Sequence, residues 1–233
     1  MQSTGSSRRT FLTIVAAVAA GQVHRSRAAA GPFVAEDWRA AAIGSQGVPP
    51  GWTRYETPGG HPAYDFTIVE DAGRRALRMR SADDHSTIAK SVEVGLDATP
   101  VLVWQWRMIQ QPAGADLRKR ATSDAAGHLF AVWPRFPAFF RSRLIGYIWD
   151  PVLPVGTVLS SQKTGTVTYI VTRSGGPQPG QWADEQRDVA RDHAMIFGEG
   201  VATLPILALS IDTNDTRAMA ETLFGRIEFR ARA

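Results

Sequence analysis

A two-residue alternation of apolar and polar side chains, repeated in short segments, restricts the fold of this chain more than any other feature. In Arg75 to Arg80, Leu77 and Met79 alternate with arginines. Successive side chains of a strand point to opposite faces, so such a segment has one face for a core and one for solvent. From Phe33 onward these segments are separated by Gly, Pro, Asp and Ser, which predicts an all-β fold, a jelly-roll-like antiparallel β-sandwich.

Two of the predicted strands alternate especially clearly. In Val101 to Ile109, every second side chain is large and apolar, and in Leu223 to Arg230, Leu223, Gly225, Ile227 and Phe229 are predicted to share the core face. Six further segments have strand composition: Phe66 to Glu70, Thr87 to Val94, His128 to Trp133, Arg143 to Trp149, Thr166 to Arg173 and Leu204 to Asp212.

One segment departs from the β pattern. Asp184 to Phe197 contains good helix formers, has acidic residues in its first turn and is followed by Gly198 at the position of a C-terminal stop. We therefore expect one helix near residues 184–197, packed against an edge or face of the sandwich. Its apolar stripe at helical spacing consists of Val189, Ala190, His193, Ile196 and Phe197.

The chain is long enough for one large sandwich, since it has 233 residues of which 44% are hydrophobic. We see no internal repeat and no linker long enough to divide it, so residues 31–233 are predicted to form a single domain. The absence of cysteine excludes disulfides, thiolate catalysis and thiolate zinc sites, so the fold depends on packing.

Residues 1–30 have the layout of a twin-arginine export signal peptide. Arg8 and Arg9 precede an apolar stretch that ends at Ala20, too short to span a bilayer, and Ala28 to Ala30 provide a small-residue cleavage site. An amphipathic N-terminal helix is the alternative, but the apolar run lacks helical polar spacing. We expect cleavage after Ala30 and a periplasmic or secreted protein without stable membrane insertion.

The formal net charge of +4 comes from this leader. Arg8, Arg9, Arg25 and Arg27 lie in it without an acidic residue, and removing these four of the 26 basic residues leaves 22 against 22 acidic ones. A near-neutral domain lacks the electrostatic footprint of a nucleic-acid-binding protein, so we expect no nucleic-acid partner.

Several motifs, taken in order, resemble a known family. They are Pro49-Pro50-Gly51-Trp52, Leu77-Arg78-Met79-Arg80-Ser81, Trp104-Gln105-Trp106-Arg107, Trp182, Arg187-Asp188-Val189 with Asp192, Phe197-Gly198-Glu199, Asp212-Thr213-Asn214-Asp215-Thr216 and Phe224-Gly225-Arg226-Ile227. Together they resemble the bacterial domain-of-unknown-function family 3047. The resemblance implies an exported β-sandwich similar to jelly-roll carbohydrate-binding or galactose-binding modules, and it brings no established activity.

The chain departs from that family's pattern in two segments. Relatives have paired aspartates followed by an arginine where this chain has Ser123 and Asp124 and then His128. The family's Asp-Thr-Asp-Asn-Thr pattern has its third and fourth members exchanged in Asp212 to Thr216. If these positions serve a shared chemistry, this chain has altered it.

The candidate ligand-binding residues are Gln105, Arg107, His128 and Arg187. Trp104 and Trp106 point to one face of their strand, where exposed rings would form a platform for sugars and buried rings would fill the core. Apolar neighbours on the same face favour the core, which leaves Gln105 and Arg107 to face a ligand.

Asp212, Asn214 and Asp215 place three oxygen-bearing side chains at a strand end, which makes them candidate ligands of a calcium ion. Their spacing is not that of an EF-hand, and turn-forming Asx side chains explain it equally well. We expect no other cofactor, because no glycine-rich nucleotide loop follows a strand.

The candidate catalytic carboxylates are Asp124, Glu185, Asp188, Asp192 and Asp212, because glycoside cleavage uses two carboxyl groups across a cleft. Those near the helix could equally form ion pairs on a solvent face. His128 with Asp124, or His85 with Asp83 and Asp84, are alternative base dyads, and we expect His193 to be a half-buried histidine. Neither a Gly-x-Ser-x-Gly elbow nor a His-Glu-x-x-His motif is present.

A dense basic run, Arg118-Lys119-Arg120, and the mixed aromatic and cationic segment Arg135 to Arg141 suit an anionic polysaccharide or an envelope protein. They are equally typical of a solvated loop and an irregular segment. The sequence therefore favours a non-catalytic glycan-binding module. A polysaccharide-active hydrolase or lyase, and an envelope structural or assembly protein that docks through Phe136 to Phe140, stay open as alternatives.

Overall fold

The computed structural model describes residues 31–55, 62–136, 141–176 and 181–233. Within these ranges it contains thirteen strands in two sheets, a 3-10 turn at Arg120–Thr122 and one α-helix, α1, at Val189–Phe197. The predicted signal peptide, residues 1–30, and residues 137–140 of the aromatic segment lie outside the described ranges. In the described part, no helix is long and apolar enough to cross a membrane.

The first sheet has six strands, all paired antiparallel. They are β1 (Phe33–Glu36), β3 (Asp65–Asp71), β4 (Arg74–Ala82), β6 (Val101–Gln110), β11 (Ala183–Asp188) and β13 (Met219–Arg230). Their order is β11-β6-β13-β4-β3, and β1 pairs with the C-terminal half of β13.

The second sheet has seven strands in the order β2-β5-β12-β7-β8-β10-β9, antiparallel except for the parallel pair β8 and β10. They are β2 (Thr53–Tyr55), β5 (His85–Gly95), β7 (Ala125–Trp133), β8 (Arg143–Asp150), β9 (Val158–Ser160), β10 (Val167–Ser174) and β12 (Thr203–Asp212). The two sheets pack face to face, which confirms the predicted jelly-roll-like β-sandwich.

The core between the sheets contains the paired tryptophans of β6. Trp104 and Trp106 are both 0% exposed and meet edge to face at 5.5 Å. Tyr147 of the opposite sheet lies 5.4 Å from Trp104, between ring centroids. These rings are core residues and not a sugar platform, as the apolar neighbours on their face predict.

The predicted alternation of β13 is wrong in its first half. The register of β13 against β6 shifts between Phe224 and Ile227, and such a bulge changes which face the following side chains occupy. Phe224, Ile227 and Phe229 all lie in the core. Leu223 is not part of that core cluster and is paired in register with Arg78 and Arg107.

The helix α1 begins five residues later than predicted. Ala183–Asp188 forms the edge strand β11 instead, because its pairing with β6 outweighs the helix propensity of its residues. The Asp188 side chain caps the helix by accepting a hydrogen bond from the Arg191 backbone N–H, and Gly198, at φ 72°, ends it. The predicted apolar stripe packs against the core.

Candidate functional site

The seven-stranded sheet carries apolar and aromatic side chains on its outer face as well as on its core face. The outer face of a two-layer sandwich is ordinarily polar, so a second apolar cluster there needs an explanation. Loops after β6 and β8 cover part of this outer face with Leu117 and Leu153. The buried members of the cluster are Leu117, Phe130, Ile148, Leu153, Val167, Tyr169, Val171 and Ala208.

Three aromatic rings lie together on this outer face. Gly146 of β8 is paired with Phe130 on one side and Tyr169 on the other, and a Cβ atom at Gly146 would lie 2.7 Å and 2.8 Å from their rings. Glycine therefore lets both rings close over β8. His128 stacks on Phe130 at 5.1 Å with an interplanar angle of 14°. We call His128, Phe130 and Tyr169 the ring floor.

Hydroxyl groups continue the ring floor toward the β2 edge. Ser210 is paired with His128 on one side and with Thr87 on the other, and Thr87 donates a hydrogen bond of 2.7 Å to the Ser210 Oγ. The Thr87 hydroxyl also lies 3.1 Å from the His85 Nε2. Tyr55, paired with Thr87, is 60% exposed at the edge of the sheet.

The outer face is open at one end of β5 and β12. A depression of about 530 Å³ lies there, lined among others by Thr53, Ala89, Ser91 and Ile206. From Ser91 to His85, β5 runs for six residues, which is about 20 Å of strand. The outer face thus extends from an open depression, along the ring floor, to a polar cluster at its other end.

That polar cluster, which we call the acid cluster, consists of His85, Asp124, Lys163, Asp212 and Asp215. Asp124 accepts hydrogen bonds from the backbone N–H groups of Asp215 (3.2 Å) and Thr216 (2.7 Å) and from the Thr216 hydroxyl (2.6 Å). Lys163 forms an ion pair with Asp215 and lies 3.5 Å from Asp212. The two segments at which the resemblance implies a departure from the family pattern, beginning at Ser123 and at Asp212, therefore meet here.

Burial shifts the pKa values of the carboxyl and imidazole groups at this end of the outer face. Burial, reinforced by the neighbouring Asp124 and opposed by Lys163, raises the pKa of Asp212 to about 7. Burial and then the positive charge of Lys163 lower the pKa of His85. Although burial acts against it, the carboxylates of Asp212 and Asp215 raise the pKa of Lys163. At neutral pH, Lys163 is therefore charged and His85 is largely neutral.

His128 is the most deeply buried imidazole of the outer face. It is 3% exposed, and neither ring nitrogen makes a hydrogen bond of normal geometry with a described residue. Burial, followed by the nearby His85, lowers the pKa of His128 to about 3, and the Ser210 backbone and Asp124 oppose this only in part. His128 is therefore a buried, neutral ring.

The predicted calcium ligands have other partners. Asp212 accepts a hydrogen bond from the Asn214 backbone N–H at 3.3 Å, as in an Asx turn, and the Lys163 ammonium lies beside both Asp212 and Asp215. Among the described residues, no group of three or more histidines and carboxylates is arranged to hold a metal ion. The geometry matches the turn interpretation, and calcium stays a prediction.

The other candidate carboxylates do not join the acid cluster. Glu185 of β11 pairs with Arg173 at 2.6 Å, and Asp188 caps α1 and pairs with Arg232 at 2.6 Å. Asp192 is buried at 4% exposure, where it accepts hydrogen bonds from the Tyr147 hydroxyl and from Arg187. These carboxylates have structural partners, and so does Arg187.

The predicted ligand-binding pair on β6 lies on the outer face of the six-stranded sheet. Gln105 donates to Asp184 at 2.7 Å, and Arg107 donates to both oxygens of Asp71 at 2.6 and 2.7 Å. Trp182 also donates to Asp71, at 2.7 Å. This face is a network of internal ion pairs and hydrogen bonds, so a ligand there would have to compete with them.

Sequence reasoning identifies Asp124, His128, Asp212 and Asp215 by residue type, but not that they share one site. It misses the rest of the outer face: Tyr55, Thr87, Phe130, Lys163, Tyr169 and Ser210. One signal was available, because His128 to Trp133 has almost no polar alternation, which is typical of a strand buried on both faces. Lys163 lies in a loop and belongs to no motif.

Comparisons with solved structures find sandwiches of low identity. The chain is similar to the family 11 carbohydrate-binding module of the Clostridium thermocellum cellulase Lic26A-Cel5E, with 8% identity, a TM-score of 0.46 and coverage of 87% of this chain and 95% of that one. It is similar to the xyloglucanase domain of NopAA from Sinorhizobium fredii, with 10% identity, a TM-score of 0.42 and coverage of 83% and 99%. It is also similar to a cellulose-specific module, CBM28, with 13% identity, a TM-score of 0.38 and coverage of 84% and 96%.

A search of curated proteins found no match. A family model does match: that of DUF3047, described as a protein of unknown function, over residues 50–228. This span covers most of the chain and contains nearly all the motifs on which the resemblance rests, as well as every residue of the acid cluster. The chain therefore belongs to the DUF3047 family of proteins of unknown function.

Proposed function

We propose that the protein binds a glycan on the outer face of its seven-stranded sheet. The observation that carries this proposal is the exposed ring of Tyr55 at the sheet edge, in one cross-strand row with Thr87, Ser210 and the buried His128 of the ring floor. Sugars combine apolar ring faces with hydroxyl edges, and a site that takes them needs aromatic surface with a few placed polar groups. At the edge of the outer face, the exposed ring of Tyr55 lies beside the Thr87 hydroxyl.

The shape of the face supports an extended ligand. The depression at Thr53 and Ser91 lies at one end, and the acid cluster lies about 20 Å away along the strands. An oligosaccharide laid along β5 would pass the exposed Tyr55, which is paired with Thr87.

The test is retention of the purified protein on immobilised bacterial and plant polysaccharides. We expect retention on at least one polysaccharide, and we expect Tyr55→Ala to weaken it because an exposed ring beside the hydroxyl row is lost. Phe136→Ala is the comparison variant, since Phe136 is an aromatic residue of 90% exposure in the loop after β7.

Absence of retention on every polysaccharide tested would contradict the proposal. Loss of retention in Phe136→Ala with Tyr55→Ala unaffected would move the contact surface to the Phe136 segment. That result would favour an envelope protein as the partner, because a 90% exposed phenylalanine suits a protein contact.

A further inference from the structure

The depression at the open end of β5 and β12 combines small residues with apolar walls. Its volume of about 530 Å³ lies in the usual range of small-ligand sites. Three of its lining residues have small side chains that leave room for a ligand: Gly51, Ala89 and Ser91. Three others line it with apolar atoms: Pro134, Pro205 and Ile206. A sugar ring can pack its apolar face on such a surface.

A β-bulge places a strained glutamate in the lining of the depression. The register of β5 against β12 shifts here, so that Val92 and Glu93 lie opposite the single residue Pro205. Proline has no N–H for the ladder, and inside a sheet it is confined to such irregular positions. At this bulge Glu93 adopts a left-handed conformation, with φ 49°. Bulges re-aim side chains, and strained residues of this kind cluster at ligand sites.

Glu93 also determines the charge of the depression. The other charged lining residue, Lys90, forms an ion pair of 2.8 Å with Glu36, which is 7% exposed. The same Glu36 oxygen accepts a hydrogen bond of 2.7 Å from the Trp52 indole, so this pair is fixed and neutral. The Glu93 carboxylate makes neither a hydrogen bond nor an ion pair with a described residue. The depression therefore has the uncompensated negative charge of Glu93.

Two hydroxyl groups accompany this carboxylate. Ser91 and Glu93 are exposed while Val92 between them is buried, so both side chains lie on the outer side of the sheet. The Ser91 hydroxyl has no hydrogen-bond partner in the described ranges. The Thr53 hydroxyl donates to the Ala89 carbonyl at 3.1 Å, and its oxygen retains the capacity to accept. The depression thus presents a carboxylate and two hydroxyl groups next to apolar walls.

The charge of Glu93 distinguishes between the classes of sugar that this depression can take. A uronate would be repelled by the Glu93 carboxylate, because the ammonium of Lys90 is already paired with Glu36. A neutral sugar would form only ordinary hydrogen bonds there. A protonated amine would form a charge-assisted hydrogen bond with Glu93, which is roughly twice as strong as a neutral one. The depression therefore favours a cationic sugar.

Building on the proposed glycan-binding function, we propose that the depression binds an amino-sugar unit of the glycan whose amine is free and protonated. The ammonium group of this sugar donates to the Glu93 carboxylate, and its ring hydroxyls form hydrogen bonds with Ser91 and Thr53. An N-acetylated unit at the same position has no positive charge and gains no charge-assisted bond. The protein therefore selects glycans that contain de-N-acetylated amino sugars.

The experiment is calorimetric titration of the purified full chain with oligosaccharides of equal length from cellulose, chitin and chitosan. These share one linkage and differ only in the hydroxyl, N-acetyl or amino group at C2. At mildly acidic pH, where the amines are protonated, we expect the chitosan oligomer to bind about 10-fold more tightly than the other two. Glu93→Gln should remove this difference. Glu70→Gln is the matched control, since Glu70 of β3 is also exposed and has no described partner.

A second variant tests the location of the contact. Ser91→Leu places a larger side chain in the depression and leaves the charge of Glu93 in place. We expect it to weaken binding of the chitosan oligomer by about 10-fold, because the sugar ring loses both its space and a hydrogen bond. Melting temperatures of Glu93→Gln and Ser91→Leu close to that of the wild type would show that both variants fold.

Three results would overturn this inference. Chitosan oligomers bound no more tightly than the other two would exclude selection of the amine, and binding of the neutral oligomers would still support glycan binding. Equal weakening by Glu93→Gln and Glu70→Gln would indicate a general attraction of cations to the protein surface. Absence of binding by all three oligomers would also count against it, while retention on another polysaccharide in the test of the proposed function would leave glycan binding intact.

Discussion

Among the carboxylates of the described structure, Asp212 is unusual because its surroundings raise its pKa. Asp71, Asp188, Glu199 and Glu228 have their pKa values lowered, and each pairs with arginine. Asp212 lies beside Asp124 and shares its cation, Lys163, with Asp215, so burial outweighs the attraction. A carboxyl group whose ionised form the fold does not stabilise lowers the free energy of unfolding at neutral pH. Such costly carboxyl groups are typical of functional positions.

Replacing Asp212 by asparagine should change how stability depends on pH. A group whose folded pKa of about 7 exceeds its unfolded pKa of about 3.9 stabilises the fold fully below pH 3.9, and this contribution is lost as the pH rises through 7. The free energy of unfolding of the wild type, minus that of Asp212→Asn, should fall by on the order of 3 kcal/mol over this range. Urea unfolding at a series of pH values measures it. The lowered pKa of His128 does not affect this difference, because both proteins contain His128.

The exposed Asp184 provides the control for this measurement. Its side chain is 62% exposed, so Asp184→Asn should change the free energy of unfolding by about 0.5 kcal/mol or less. A flat difference curve for Asp212→Asn would show that burial does not raise the pKa of Asp212.

Single residues of the candidate site were predictable by type, but their grouping was not. Asp124, His128, Asp212 and Asp215 attract notice as acids and a histidine near strand ends. Their meeting depends on β12 lying between β5 and β7, an order that no local pattern contains. For the same reason His85 could be matched by sequence only to its neighbours Asp83 and Asp84, whereas its partner in the sheet is Asp212.

At the scale of elements, the strands with one apolar face were the predictable ones. All nine strands predicted from sequence are present. Two-residue alternation, which needs only burial of one face, marks most of them, and His128 to Trp133 is an apolar run. The short strands β1, β2 and β9 lack enough residues to show a period. β11 has helix-favouring composition and becomes a strand through pairing with β6, a tertiary effect.

The junction of β11 and α1 depends on one buried carboxylate. Asp192 accepts hydrogen bonds from Arg187 of β11 and from Tyr147 of β8, and so ties the helix to both sheets. Asp192→Ala should lower the free energy of unfolding by about 2–3 kcal/mol, at the low end for a broken buried pair because Arg187 is one-third exposed. Tyr147→Phe should cost about 1 kcal/mol, since the pair with Arg187 remains. Chemical denaturation measures both.

Arg191 provides the matched control for this junction. It lies on the same helix, pairs with Asp188 and is 75% exposed, so Arg191→Ala should change stability by about 0.5 kcal/mol or less. Equal costs for Asp192→Ala and Arg191→Ala would mean that the helix is held by its apolar stripe alone.

For the whole molecule, the absence of cysteine means that folding requires no oxidising compartment. Stability comes from the core between the sheets and from the second apolar cluster on the outer face. A domain of this kind can reach its folded state in a reducing cytoplasm. This property agrees with the twin-arginine export that we propose from the leader sequence, because that route carries proteins already folded.

The export proposal is tested by fusing residues 1–35 to a reporter and measuring its export. Arg8→Lys with Arg9→Lys should abolish export, because the paired arginines are the recognised feature of such signals. Arg25→Lys with Arg27→Lys is the matched control: it changes two arginines of the same leader and should leave export unaltered. Export that tolerates loss of Arg8 and Arg9 would indicate a different route, one that carries unfolded chains. The domain would then have to fold after crossing the membrane. Its lack of cysteine would mean that its core is stable without disulfides, and it would not bear on the export route.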